Sequence, residues 1–316
     1  MFAFKEQGLS LREIGRRLNR DHTSLSDELK NNAPYGAEYI PCRAQRLSDK
    51  RGWRQRCKAP LKNPLVFLYV REHLRLGWSP DEISGRLKLD HPGESISYEA
   101  IYRYIYSKKM RRYKYWEYLT LGRKKRMKKL GRSVRRDNSG KIPGSISIDL
   151  RPEVVSLRSR VGDWETDNII GKLTDKTALS VTVERVTKLT LITKLLDRLA
   201  VTKRDALVRR LEIFPKQIRL TLTTDNGSEN SCHLQISEDL ELLMFFCHAY
   251  HSWEKGTVEN MNGRIRRYIP KGISIDTFSE EYIQEVEKRL NSTPRKCLGY
   301  LTPYEKMSQV LSLSSN

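Results

Sequence analysis

The chain has 316 residues, of which 31% are charged and 38% hydrophobic, and its 59 Lys and Arg outnumber 38 Asp and Glu for a formal charge of +21. Such a surplus repels itself unless an anion binds, so nucleic acid is the leading partner; an anionic membrane surface lacks an obvious amphipathic anchor. No apolar run approaches the roughly 18 residues of a membrane-spanning helix, and MFAFKEQGLSLREIGRRL at the N-terminus has no secretory pattern.

Ser10 and Glu13 stand at capping-box spacing before LREIGRRL, which predicts a helix with Leu11, Ile14 and Leu18 on one face. Asn19-Arg20-Asp21 breaks it, and HTSLSDELKNN resumes a helix. Residues 1–35 thus have the helix-turn-helix pattern. Arg20, His22, Thr23, Ser24 and Ser26 start the second helix, where side chains reach base edges or phosphates in a major groove. By spacing alone a plain helical hairpin fits equally well, and the net charge favours DNA.

Residues 36–107 hold a basic helical segment, CRAQRLSDKRGWRQRCKAPLK, and a second helix-turn-helix pattern. Ser79-Pro80-Asp81-Glu82 joins a cap, a first-position proline and a capping-box glutamate ahead of EISGRL. ISYEAIYRYIYSKK follows as an aromatic and basic helix, with Tyr98 and Arg103 as candidate DNA contacts. Residues 108–145 read as a basic linker. Aromatics interleave with its cations, so Lys124, Lys125 and Arg126 are expected to track the phosphate backbone.

Residues 146–316 change character. WETDNIIG, TALSVTVERVT and LTLITKLL read as strands, TKRDALVRRLEIF as a helix, IRLTLTTD as a strand, SEDLELLM as a helix and FFCHAY as a strand. GTVENMNGRIRRYI and EEYIQEVEKRLN close the domain as helices. The expected chain is therefore multidomain, with an all-α helix-turn-helix region followed by an α/β domain. Its five cysteines, Cys42, Cys57, Cys232, Cys247 and Cys297, are odd in number and widely spaced. That fits a reducing, cytoplasmic setting rather than a disulfide framework. Cys232-His233 and Cys247-His248 lack zinc spacing, since adjacent side chains rarely turn onto one ion.

The strand TLTTDNGSEN stops on Asp225-Asn226-Gly227, strong turn chemistry in its own right. Two further acids stand where a core role does not fit: Asp167 in the first strand and Glu259 on a late helix. On that helix Val258, Met261, Ile265 and Tyr268 form an apolar stripe, while Glu259, Asn262 and Arg266 occupy another face. Three carboxylates gathered from separate segments repel one another without a cation, and oxygen ligands select Mg²⁺ or Mn²⁺. Two such ions about 3.5–4 Å apart serve in-line phosphoryl displacement. Three ordinary surface acids are the plainer reading of any one of them alone.

The segments Gly162-Asp163-Trp164-Glu165-Thr166-Asp167, Thr224-Asp225-Asn226-Gly227 and YHSWEKGTVENMNG (250–263), with the tail NSTPRKCLGYLTPYE (291–305), carry a resemblance. In this order, with 33 residues between Asp225 and Glu259, the chain resembles the DDE-type transposases of bacterial insertion sequences, most closely the IS-thirty group. The resemblance implies a ribonuclease-H-like catalytic domain in which Asp167, Asp225 and Glu259 hold two Mg²⁺ or Mn²⁺ ions. It implies nicking at element ends, then attack of the freed 3′-hydroxyl on target DNA. Trp253, Lys255, Asn262 and Arg266 are then expected beside DNA, the helix-turn-helix modules on the terminal inverted repeats, and the protein as a homo-oligomer on double-stranded DNA. Two departures stand out. The chain starts nearly at the first helix-turn-helix, and Asp27 replaces an arginine common in that recognition helix. They leave open a repressor that binds element ends without turnover. A nuclease on the same fold is the third reading, and the two helix-turn-helix modules speak against it.

Overall fold

The computed structural model describes residues 1–33, 38–58, 61, 63–119, 122, 142–172, 174–248 and 251–314, with the side chains of 53–58, 109, 252 and 314 excepted. Lys124, Lys125 and Arg126 lie outside the described residues.

The N-terminal region is helical: α1 (Phe2–Glu6), α2 (Leu11–Leu18), α3 (His22–Asn32), α4 (Pro41–Lys58), α5 (Pro64–Arg75), α6 (Pro80–Asp90) and α7 (Tyr98–Tyr106). α2 and α3 form the first helix-turn-helix. Asn19 ends α2 in the left-handed region at φ 50°, and the Arg20 N–H returns to the Gly15 carbonyl at 2.9 Å. A Cβ on Gly15 would lie 2.7 Å from the Arg20 carbonyl, so the turn is this tight only with glycine there. Half of the expected capping box forms. Ser10 accepts the Glu13 N–H, but the Glu13 carboxylate turns outward to Arg16 and Arg17, cations one turn further on. At Ser79 and Glu82 the box is complete. A core of Val66, Val70, Leu74, Ile83, Leu87, Ile101 and Ile105 joins α5, α6 and α7. Tyr115 and Trp116, from the segment read as linker, are buried in the same core, because aromatic area outweighs the surrounding charge.

The second region follows a short α8 (Glu153–Leu157). It contains β1 (Asp163–Ile170), β2 (Ala178–Glu184), β3 (Thr190–Leu195), α9 (Ala200–Leu211), β4 (Thr221–Thr224), α10 (His233–Leu240), β5 (Leu243–Phe246), α11 (Gly256–Ile265), α12 (Glu280–Asn291) and α13 (Pro303–Ser314). The sheet order is β3-β2-β1-β4-β5, with β1–β2 and β2–β3 antiparallel and β1–β4 and β4–β5 parallel. This is the mixed α/β domain expected. Leu207, Leu211, Ile236, Leu240 and Met307 cover one face of the sheet, and Val258, Met261, Ile265, Ile283, Val286 and Leu290 cover the other. With both faces covered, β2 is buried along its whole length.

Two expectations shift. The helix read at SEDLELLM lies earlier, at His233–Leu240, and Leu243–Phe246 is strand. Glu241 closes α10 at φ 51°, after which Met244 and Phe246 alternate into the core beside Leu222. The tail after α12 is not a mere end segment. Thr302 and Glu305 form a reciprocal cap on α13, and Glu305 grips Arg86 of α6 bidentately at 2.6 and 2.7 Å. Tyr300, at φ 67°, lies against Gly85 so closely that a Cβ there would come within 2.2 Å of its ring. The helical region is thereby docked onto the sheet domain.

Candidate active site

Alternation along β1 sends Trp164 into one core and Ile169 into the other, so Asp163, Glu165 and Asp167 share the face covered by α11. The parallel register pairs Asp163 with Thr221 and Glu165 with Thr223. Two residues further, the same register sets Asp225 opposite Asp167. The turn chemistry of Asp225-Asn226-Gly227 holds that aspartate in place. Its Oδ1 accepts from the Gly227 N–H at 3.2 Å and from Asn230 Nδ2 at 3.0 Å, while Asn226 Nδ2 donates to the Cys247 carbonyl at 2.7 Å.

Lys255, just before α11, donates from Nζ to Asp167 Oδ1 at 2.9 Å and to Asp225 Oδ2 at 2.5 Å. It is 6% exposed, so one buried ammonium bridges two carboxylates. Burial pulls its pKa down, but the two aspartates outweigh this and hold it well above the ordinary lysine value. For Asp225 burial raises the pKa, and Lys255 overcomes that to leave the carboxyl below its usual range. Asn262 Nδ2 donates to the other oxygen of Asp167 at 2.7 Å. Arg266, one turn on, donates to the Ile170 carbonyl at 2.7 Å. The face of α11 bearing Glu259, Asn262 and Arg266 therefore turns toward the end of β1. Among the described residues Glu259 has no hydrogen-bond or ion-pair partner, and it is half-buried.

The residue that seats α11 was missed by sequence reasoning. Glu165 is fully buried, and its Oε2 accepts the Thr257 and Val258 N–H groups at 2.8 and 2.9 Å, capping the helix from the sheet. Arg185 Nε lies 2.9 Å from the other oxygen as an ion pair without hydrogen-bond alignment. The available signal was its period-two spacing from Asp167. Lys203 was also missed. It is 1% exposed on α9, and its pKa is lowered by burial against the opposing pull of Glu229, Asp225 and Asp167. A lysine in register with Ala206, Leu207 and Leu211 on a buried stripe was the sign.

Trp253 is 69% exposed and stacks on His251, with ring centroids 4.4 Å apart. His248 and His251 both direct Nδ1 to Glu254 Oε1, at 2.8 and 3.0 Å, and His248 Nε2 reaches Asp149 at 2.9 Å. The ligand atoms of His248, His251 and Glu254 lie within 4.8 Å of one another, and Cys247 is not in the group. At the first helix-turn-helix, Arg20, His22, Thr23, Ser24 and Asp27 are exposed and Ser26 is half-buried. Tyr98 is exposed at the start of α7, and Arg103 is exposed further along it. No helix of the described residues is long and apolar enough to cross a membrane.

Comparison with known proteins found no matching protein-family model. It did find full-length relatives. A transposase for insertion sequence element IS4351 from Bacteroides fragilis is 36% identical over 97% of this chain and 92% of its own length. A transposase for IS1086 from Cupriavidus metallidurans is 35% identical over 98% of this chain and 92% of its own. Transposase InsI for IS30A from Escherichia coli is 29% identical over 97% of this chain and 80% of its own. Among solved structures, the catalytic core domain of BIV integrase is 20% identical, covers 49% of this chain and 99% of its own, and superimposes with a TM-score of 0.39.

Proposed function

This chain belongs to the IS30 family of insertion-sequence transposases, and on that premise we propose that Asp167, Asp225 and Glu259 form a divalent-metal centre that cuts DNA at element ends and joins it to a target. The observation that carries the reading is the Lys255 ammonium held between Asp167 and Asp225. Two carboxylates from different strands already share one cation, and a third, Glu259, stands unpaired on the helix above. All three offer hard oxygen donors, which suit Mg²⁺ or Mn²⁺, and two ions are the expected complement. When bound, such ions generate the attacking hydroxide or activate the 3′-hydroxyl and steady the leaving oxygen.

The chain's own residues position that centre. Asn262 fixes the rotamer of Asp167, and Asn230 with the Gly227 N–H fixes Asp225. Glu165 anchors the helix that carries Glu259, Asp167 lies on β1, and Asp225 sits in the hydrogen-bonded turn that ends β4, so each carboxylate is held by a defined local structure. Lys255 competes with any cation the two aspartates share. Trp253 offers an exposed ring for DNA beside the site. α3 and the turn before it present Arg20, His22, Thr23, Ser24 and Ser26 to a major groove, and α7 presents Tyr98 and Arg103 to DNA. Lys124, Lys125 and Arg126 extend the basic track along phosphates. A homo-oligomer follows from the need to pair two element ends.

The test is a supercoiled plasmid carrying the DNA that flanks the gene, incubated with the protein and Mg²⁺ or Mn²⁺, with strand breaks mapped to the nucleotide. Breaks at flanking repeats that need both metal and Asp225, judged with Asp225→Asn, are the expected result. Tight binding without breaks in a folded protein rules the catalytic reading out.

A further inference from the structure

A cavity of about 380 Å³ opens on the other side of α11 from the carboxylates. At about 100° of rotation per residue, Gly256, Asn260 and Arg264 are centred about 130° around the helix from Glu259, Asn262 and Arg266. Among the described residues the cavity lining carries five cations, Arg158, Lys188, Arg264, Arg295 and Lys296, and no acid. Two acids outside the lining contact these cations: Glu82, 3.1 Å from Arg264 Nη1 and 3.7 Å from Arg295 Nη1, whose other oxygen already accepts the Ser79 N–H, and Asp81, 3.5 Å from the exposed Lys296 Nζ.

Arg295 makes the site more than a basic patch. It is 4% exposed and donates Nη2 to the Leu290 carbonyl, yet its Nε and Nη1 are buried without a hydrogen bond. Thr257 Oγ1, also in the lining, is likewise buried and unpartnered. Buried donors left open in this way are costly unless a ligand completes them. Like charge is crowded in the lining. Burial, with Arg264 beside it, pushes Arg295 down to about 10, and burial with Arg158 lowers Lys188. An anion with several acceptor oxygens relieves both deficits at once.

We propose that this cavity binds a phosphate group, through the buried Arg295 guanidinium and Thr257 hydroxyl and a rim of Arg158, Lys188, Arg264 and Lys296. The group belongs either to a DNA backbone or to a free phosphate. The free-phosphate form does not depend on the transposase reading, and the DNA form rests on it.

Cys297 lines the cavity and is exposed, so it reports occupancy. The experiment alkylates the full chain with iodoacetamide and follows Cys297 by peptide mass spectrometry, with Cys42 as the exposed control. Arms contain inorganic phosphate, duplex DNA, or potassium chloride at matched ionic strength. Severalfold slower labelling of Cys297 alone, abolished in the rim variant Arg158→Ala/Lys296→Ala, is the expected outcome. Protection by low concentrations of duplex, with phosphate acting only at high concentration, identifies a backbone phosphodiester. Protection by phosphate and not by duplex identifies a free anion. Equal labelling in all arms, equal slowing by chloride, or protection that persists in the rim variant overturns the proposal. Both rim residues are exposed at their side chains, so the variant keeps its fold. Arg295→Lys, which retains the charge but loses the fork, is expected to weaken protection partially.

Discussion

Replacing Lys255 with Met keeps the aliphatic stem and removes only the charge between Asp167 and Asp225. The structure sets the size of the effect. The Nζ contacts are 2.9 and 2.5 Å, and the lysine side chain is 8% exposed, against 21% and 41% for the two aspartates. Breaking a fully buried ion pair costs about 3–5 kcal/mol, and the partial exposure of Asp225 discounts this to about 2–4 kcal/mol. Without metal, Lys255→Met is therefore expected to unfold at lower urea concentration by that amount. A divalent cation then meets two aspartates with no ammonium to displace. Mg²⁺ or Mn²⁺ is expected to stabilise the variant more than the wild type, with about 2.7 kcal/mol recovered at a hundredfold excess over its dissociation constant. Urea melts with and without metal, beside calorimetric titration of Mn²⁺, give both numbers. Equal stability of the two metal-free proteins, or equal stabilisation by metal, would refute the placement of Lys255 as the cation the aspartates share.

Glu165→Ala orphans two α11 N–H groups and leaves Arg185 without its buried partner, so a loss of about 3–5 kcal/mol is expected in urea unfolding. Glu165→Gln keeps an acceptor for those N–H groups and should cost less; equal losses would show that the cap does not matter. Gly85→Ala drives a Cβ to 2.2 Å from the Tyr300 ring and should cost about 1–3 kcal/mol by overpacking. In Tyr300→Ala the same substitution should be nearly neutral, and additive losses would contradict the contact. Hydrogen bonding to Glu254, then to Asp149, raises the His248 pKa above 6.5. A raised folded value means the interaction is fully present below 6.5 and fades as pH climbs through that folded value. NMR titration of the ring should show a midpoint above 6.5 that falls in Glu254→Gln; a midpoint at or below 6.5 argues against the His248–Glu254 contact.

Much of this protein was open to reading along the chain because the decisive signals were local. The caps at Ser10 and Ser79, the β-branched runs of β1 to β3 and the Asp225-Asn226-Gly227 turn each follow from neighbours a few residues apart. Helical spacing also set Glu259, Asn262 and Arg266 on one face, and Asn262 does meet Asp167. Where a local signal had a competitor it misled. The mixed stretch at 237–244 suits a helix or a strand, and pairing with β4 decided for strand from Leu243 onward.

What only tertiary structure decided was which charges meet. Asp167 and Asp225 are 58 residues apart in sequence, and a parallel register that no local pattern encodes brings them together. That register also turned Lys255 inward onto both, made Glu165 the cap of α11 and left Lys203 buried beneath the site. Periodicity records which face a side chain occupies, whereas the sign and identity of what lies across from it depend on strand order and helix docking. The sequence alone therefore determined the elements, the basic character and the candidate acids. The fold determined that two aspartates share a buried cation and that five basic groups from four segments of the chain close around one cavity.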